Sequence, residues 1–237
     1  MTVTRRATDA GVRPTSTVPS RRARVVCSES PLVQPAGADR FAPMYPNTPT
    51  GLPDLSPVLA RLREHVFAHS LKIGDFTLKS GRKSTWFLDT KQTMCRPEGL
   101  LAVADAALAV IPNDVDSIGG LTMGADPVAF GIAAVAATRG RTLRSFSVRK
   151  ETKDHGVTGR IAGALLPGDR VVITEDTVTR GTSLFEAVSA VRAFGAVPVL
   201  ITVIVDRGGT CAQMAEEAGI AYRPLLTAPD LGFDFGT

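Results

Sequence analysis

Two carboxylates stand side by side where an apolar run gives way to a turn. Val171-Val172-Ile173-Thr174 leads into Glu175-Asp176, then Thr177-Val178-Thr179-Arg180-Gly181, and then Thr182-Ser183 at the opening of a helical pattern. Adjacent acids cannot hold a phosphate, but they accept hydrogen bonds from sugar hydroxyls or help to hold a magnesium ion. The hydroxyls of Thr179, Thr182 and Ser183, together with the open N–H groups of a helix start, make a cradle for an anion. Gly181 lets the backbone come close to its ligand. Diol acceptors beside a phosphate cradle describe a ribose 5-phosphate. The same pattern could be a strand–turn–helix junction whose polar residues only cap the helix. Against that stands the cost of paired acids at a strand end that are put to no use.

A second constellation is cationic. Arg149-Lys150-Glu151-Thr152-Lys153-Asp154-His155-Gly156 follows an apolar strand and precedes Val157-Thr158-Gly159-Arg160. Its glycines and shortage of apolar residues read as a mobile loop. Three fixed cations and one titratable histidine suit a diphosphate leaving group, although most such runs are solvated loops. Phe76-Thr77-Leu78-Lys79-Ser80-Gly81-Arg82-Lys83-Ser84 reads, alone, as a basic β-turn. Val205-Asp206-Arg207-Gly208-Gly209 closes a long apolar strand. There the Arg207 fork offers paired donors to a carboxylate, or forms a surface ion pair with Asp206 or a neighbour. His65 and His69 lie one helical turn apart, a spacing that can hold zinc, but no third ligand is in evidence and they read as helix residues.

The elements that must position these groups alternate. Ser56-Pro57 opens a helix, with Ser56 as N-cap and Pro57 at the first position, and Leu59, Leu62, Val66 and Phe67 continue it to about Ser70. Thr85–Thr90 reads as a strand and Pro97 opens a helix through Val110. Ser117–Leu121 is a short strand running into an Ala-rich helix that ends near Gly140. Strands follow at Thr142–Val148, Val171–Thr174 and Val197–Val205. A helix from about Thr182 to Phe194 is closed by Gly195, and Cys211–Ala218 is the last helix before Tyr222–Leu226. Strands alternating with helices imply a parallel sheet covered on both faces, whose ligands bind at the carboxyl ends of the strands. The loops after Leu121, Val148, Thr174 and Val205 are therefore where chemistry belongs.

Composition narrows the class. The 237 residues carry a formal charge of +4, and seven Arg against three acids within residues 1–43 account for all of it. The neutral remainder has no basic footprint for duplex nucleic acid. No apolar run reaches the roughly 18 residues of a membrane-crossing helix. Cys27, Cys95 and Cys211 are widely spaced with no CxxC, so neither a disulfide framework nor a zinc cluster is read from them, and free thiols fit a reducing, cytoplasmic setting. The Pro-, Ser-, Thr- and Arg-rich first 50 residues lack periodicity and read as a disordered extension. They superficially resemble a transit peptide, but no amphipathic face emerges, and Met44 is a second possible start.

The order acidic pair, two residues, Thr, one residue, Gly, Thr/Ser resembles the signature of the type I phosphoribosyltransferases. The cationic segment resembles the catalytic loop of the orotate phosphoribosyltransferases, Arg-Lys-x-x-Lys-x-His-Gly, with every position filled. Residues 76–84 resemble the amino-terminal signature of the same family. The resemblance spans roughly residues 54–237. It implies an α/β type I phosphoribosyltransferase fold: a central, mainly parallel sheet flanked by helices, with a small N-terminal hood. Residues 51–237 would form the domain and 1–50 the extension. The implied reaction transfers the ribose 5-phosphate of phosphoribosyl diphosphate to orotate in pyrimidine biosynthesis. Magnesium would arrive with the diphosphate substrate, and no protein metal ligands are assigned.

By the same resemblance, Lys153 and Asp176 are catalytic. Phosphoribosyl diphosphate is held by Lys79, Arg149, Lys150, Lys153 and His155, and by Glu175, Asp176, Thr177, Val178, Thr179, Arg180, Gly181, Thr182 and Ser183. Orotate is held by Phe87, Thr179 and Arg207, with Trp86 a further candidate for ring packing. A homodimer sharing loop residues, with no nucleic-acid or membrane partner, completes the expectation. The sequence departs from the family at Glu175, where Asp is frequent, and at Leu88, where a second aromatic is common. Gly119-Gly120-Leu121-Thr122-Met123-Gly124 also lacks the Tyr-Lys pair of some members, leaving backbone amides to meet the diphosphate. Two rival readings remain: a transferase for another base, and a regulator that keeps the phosphoribosyl site but binds nucleic acid. The Lys79 segment and the cationic loop speak against the first, the neutral body against the second. Turnover on a panel of bases separates all three.

Overall fold

The computed structural model describes residues 51–77, 81, 83–153 and 159–236. The expectations placed on residues 1–50, on Lys79, on His155 and on the side chain of Lys153 lie outside the described residues.

Helix α1 (Pro57–His69) opens on proline as expected and buries Leu62 and Val66, but Ser56 makes no side-chain cap. A hairpin follows, β1 (Leu71–Thr77) against β2 (Lys83–Leu88), antiparallel with Ile73 opposite Trp86. Strand β1 went unread because all seven of its residues are exposed or only partly covered, so no alternation of burial marks it. Strand β2 alternates cleanly: Ser84, Trp86 and Leu88 are buried, and Lys83, Thr85 and Phe87 face out. A single turn of helix, α2 (Lys91–Met94), joins this hood to α3 (Pro97–Val110).

The body is one seven-stranded sheet. Its elements are β3 (Ser117–Leu121), α4 (Ala125–Thr138), β4 (Arg144–Lys153), β5 (Gly159–Gly163), β6 (Arg170–Val178), α5 (Thr182–Phe194), β7 (Val197–Asp206), α6 (Cys211–Glu217), β8 (Ala221–Tyr222) and β9 (Leu226–Thr227). The strand order is β5-β4-β3-β6-β7-β8, with β9 also on β7. All pairs are parallel except β4 with β5. Neighbouring residues of the central strands serve opposite faces. Val172, Leu200 and Ile204 join Leu62, Val103 and Ile132 under α1, α3 and α4. Val171, Ile173, Ile201 and Val203 join Leu184, Val188 and Cys211 under α5 and α6. Burial on both faces is why β6 and β7 read as unbroken apolar runs.

Two boundaries differ from the sequence reading, and both carry site residues. Strand β6 continues past Thr174, with Glu175 opposite Val203, Thr177 opposite Val205 and Val178 opposite Asp206. The acid pair therefore lies within a paired strand, not in a turn. Strand β4 likewise continues through Arg149 and Lys150 to Lys153, which pairs with Gly159 of β5. Polarity had marked these residues as loop, but backbone pairing with a neighbouring strand takes precedence over composition. After the last helix come two short strands, β8 and β9.

Candidate active site

The groups singled out by sequence collect at the carboxyl ends of β3, β4, β6 and β7. Glu175 is buried, and its Oε1 accepts the Asp176 N–H at 3.2 Å. Burial first, and the neighbouring Asp176 charge second, push its carboxyl up to about 8. Burial thus favours the uncharged form of Glu175, while the neighbouring Asp176 side chain is engaged as an acceptor. The amino end of α4 is pressed against this acid. A Cβ on Gly124 would stand 1.9 Å from Glu175 Oε1, so any side chain there would displace the Glu175 carboxyl.

Asp176 is bound from three directions. Its Oδ1 accepts the Thr177 N–H at 2.8 Å, and its Oδ2 accepts the Thr90 hydroxyl at 3.2 Å and Lys91 Nζ at 2.5 Å. The Thr90 and Thr177 hydroxyls lie 3.0 Å apart. Burial works to lower the Lys91 ammonium, but the bond to Asp176 and its charge outweigh it, and the net displacement is upward. Sequence reasoning missed Thr90 and Lys91. Their only signal is a polar Asp-Thr-Lys directly after β2, which is common in loops.

Beyond β6, Thr179 and Arg180 are exposed in the turn, and Gly181 adopts φ of 78°, the left-handed region that glycine tolerates. Helix α5 has no side-chain cap. The β3–α4 loop is tied down. The Thr122–Met123 peptide is cis, and Thr122 N–H donates to Val148 O at 2.8 Å. The hydroxyls of Thr122 and Ser147 both donate to Asp126, at 2.6 and 2.7 Å.

The cationic arm is more open. Arg149 Nη1 donates to Gly159 O at 3.2 Å, and Arg160 Nε donates to Arg149 O at 2.9 Å. Arg160 also forms an ion pair with Glu186, which fastens β5 to α5. Lys150 is exposed.

Arg207 is buried, and burial holds its guanidinium below the ordinary arginine range. It lies 3.8 Å over the Trp86 ring, which stacks on Phe233 at 4.4 Å and 9°. A cation over an aromatic face contributes about 0.5–2 kcal/mol and offsets part of the desolvation. Asp206 does not serve as a surface partner. It is buried and accepts the N–H groups of Gly208 and Gly209, each at 2.9 Å, and the Tyr222 hydroxyl at 2.7 Å. Those bonds shape the loop that presents Arg207. Thr179 is held to the same loop, because Arg207 N–H donates to Val178 O at 2.8 Å and the Thr210 hydroxyl to Thr179 O at 3.2 Å.

Phe87 is placed differently. It lies on the outward face of β2 with its ring 5.6 Å from that of Phe76, and the aromatic brought to Arg207 is its inward neighbour Trp86. Leu88 shares Trp86's buried face.

No family model matches the chain. Individual proteins match over most of its length. The orotate phosphoribosyltransferase of Nostoc sp. is 35% identical over 179 residues, covering 75% of this chain and 87% of that protein. The crystal structure of Mycobacterium tuberculosis H37Rv orotate phosphoribosyltransferase in complex with Fe(III) dicitrate superposes with a TM-score of 0.66 at 36% identity, over 75% of this chain and 100% of that one. The same enzyme in complex with 5-phospho-alpha-D-ribosyl 1-diphosphate gives 0.62 at 33% identity over the same shares. With the mainly parallel sheet, the acid pair at the end of β6 and matches of this length, the chain belongs to the orotate phosphoribosyltransferase family.

Proposed function

We propose that the strand ends of β6, β7 and β4 divide the family's reaction among ribose, base and leaving group. That reaction transfers the ribose 5-phosphate of phosphoribosyl diphosphate to orotate, giving orotidine 5-monophosphate and diphosphate. The observation that carries the assignment is the β6–α5 junction, an acid pair with Glu175 buried and Asp176 held by Thr90, Lys91 and Thr177, beside a helix start that no side chain caps. The α5 amino end, with Thr179, Arg180, Gly181, Thr182 and Ser183, takes the 5-phosphate. Thr177 and Val178 set the path of the chain into that turn. Glu175 and Asp176 hold the ribose hydroxyls, and burial raises the Glu175 carboxyl, which favours a form that can donate as well as accept.

Arg207 meets the orotate carboxylate with its paired donors, and Thr179 contacts the base beside it. Phe87 faces away from Arg207, so its contact with orotate would need the β1–β2 hairpin to turn on closure. Lys79, Arg149, Lys150, Lys153 and His155 take the diphosphate. The bond from sugar carbon to diphosphate breaks with its electron pair leaving on oxygen. The orotate nitrogen then supplies the pair for the new bond and gives up its proton. The sugar cation between those events reacts readily with water, so the cationic arm must also act as a lid.

Among the described residues no three His, Cys, Asp or Glu side chains gather, and Asp176 is already engaged by Thr90, Lys91 and Thr177. The site therefore suits a magnesium ion carried in on diphosphate and ribose oxygens. Bound there, it would neutralise charge on the leaving group. We further assign a homodimer lending arm residues across its interface, and a cytoplasmic setting consistent with the free thiols Cys95 and Cys211. Among the described residues no helix is long and apolar enough to cross a membrane.

The test is the loss of orotate absorbance with phosphoribosyl diphosphate, followed with and without a chelator. Magnesium-dependent turnover is expected. Turnover on uracil or hypoxanthine with none on orotate would overturn the assignment of the base.

A further inference from the structure

We infer that Lys91 is a positioning residue for the ribose site, acting through Asp176. It belongs neither to the β6–α5 turn nor to the cationic arm. It opens α2, the single helical turn between hood and body, whose far side is fixed: Thr93 and Met94 are buried, and the Thr93 hydroxyl lies 2.7 Å from that of Ser70 and 3.3 Å from His65 Nδ1. From that anchored turn Lys91 Nζ reaches Asp176 Oδ2 at 2.5 Å, alongside the Thr90 hydroxyl. The Thr177 N–H takes the other oxygen. A carboxylate has about four acceptor positions. Thr90, Lys91 and Thr177 fill three of them, each from a different element of the chain, and the Glu175 carboxyl bonds the same side chain, so the protein sets the aim of the carboxylate.

Two consequences follow. The Asp176 side chain is 13% exposed and would otherwise be free to rotate; here its rotamer is set before substrate arrives, so ordering it costs nothing on binding. Its negative charge is also matched at contact distance. A substrate carrying a monophosphate and a diphosphate therefore approaches a neutral pair rather than a bare anion. Lys91 touches no substrate in this account. Its 48% exposed side chain makes replacement tolerable to the fold.

The inference rests on the assignment of Asp176 to the ribose, and the experiment separates the two. Steady-state kinetics are measured for Lys91→Met, Lys91→Arg, Asp176→Asn and the Lys91→Met/Asp176→Asn double variant. Lys91→Met should raise KM for phosphoribosyl diphosphate on the order of tenfold, the loss of one charge-assisted contact at a half-exposed site. KM for orotate should hold, and Lys91→Arg should recover most of the loss. In the Asp176→Asn background Lys91→Met should add little, because the residue it serves is already gone. If Lys91→Met behaves as the parent while Asp176→Asn fails, the positioning role is overturned and the ribose assignment stands. An undiminished Lys91→Met effect in the Asp176→Asn background also overturns it, since Lys91 would then meet the substrate directly. If neither single variant changes KM for phosphoribosyl diphosphate, both readings fall.

Discussion

The proposed ribose and base side of the site and the proposed diphosphate side are built on different parts of the same sheet. Glu175 and Asp176 stand on β6 and Arg207 directly after β7, central parallel strands covered by helices on both faces, and each is buried or bonded before any ligand arrives. Arg149, Lys150 and Lys153 stand on β4 where it leaves the parallel sheet and pairs with the antiparallel edge strand β5, with an irregular register between Val148 and Lys153. A group fixed in advance stabilises the bound substrate and the transition state alike. A group that arrives on a moving edge acts chiefly once the site has closed. The division of labour between KM and kcat is thus written into which strand a residue occupies.

The largest effect should come from the edge. Lys153→Ala is expected to lower turnover by on the order of 100- to 1,000-fold, the usual loss for one electrostatic contact to developing charge. KM for orotate should hardly move. Steady-state kinetics with each substrate varied will decide, and near-normal turnover would remove the edge arm from the chemistry.

Arg207→Ala probes the opposite half. KM for orotate should rise by roughly 10- to 100-fold, as expected for a lost bond between charged groups, with a smaller change in kcat. Arg207→Lys should recover little, because a point charge cannot reproduce the fork or its face-on seat over Trp86. A loss confined to kcat would show that β6 and β7 do not differ from the edge in the way described.

The smallest effect is on stability. The Glu175 carboxyl is raised to about 8 from its ordinary value of 4.5, so the folded protein holds that proton more tightly than the unfolded chain. Its contribution is complete below the unfolded value and fades as pH rises through the folded one. The parent should therefore lose thermal stability between about pH 5 and pH 8.5. Glu175→Gln should flatten that slope, matching the parent at pH 5 and exceeding it at pH 8.5. Melting curves at the two pH values measure it; a parallel decline in both proteins would place the proton elsewhere.

Much of this was legible in the sequence because the signals were local. The apolar runs of β6 and β7, the proline openings of α1 and α3, and the Gly195 close of α5 each sit within a few residues of what they specify. Strand β1 was not legible, since an exposed hairpin strand buries no alternating face. The extensions of β4 and β6 were missed for a related reason: the polarity that marks chemistry also marks loops, and only partner strands far along the chain decide between them. Lys91 belongs to the same class. Its meaning depends on Asp176, 85 residues away, and no spacing rule connects a residue after a hairpin to one on a central strand. Trp86 was read as a candidate for the base and found beneath Arg207, because strand alternation gives its inward face to the core and leaves Phe87 outside.

The clasp around Arg207 also sets an order of assembly. Phe233 stacks on Trp86, the Gly236 N–H donates to Arg207 O at 2.7 Å, and a Cβ on Gly209 would stand 2.9 Å from the Phe235 ring. The arginine proposed to recognise the base is therefore seated by an early hairpin on one side and by residues beyond position 232 on the other. During synthesis, the strand and helix start that receive the 5-phosphate can pair with their neighbours while the chain is still growing, as amino-terminal segments commonly do. The seat for the base cannot close until the segment around Phe233 has emerged. A nascent chain halted just short of it would be expected to gather a phosphorylated sugar before it could tell one base from another.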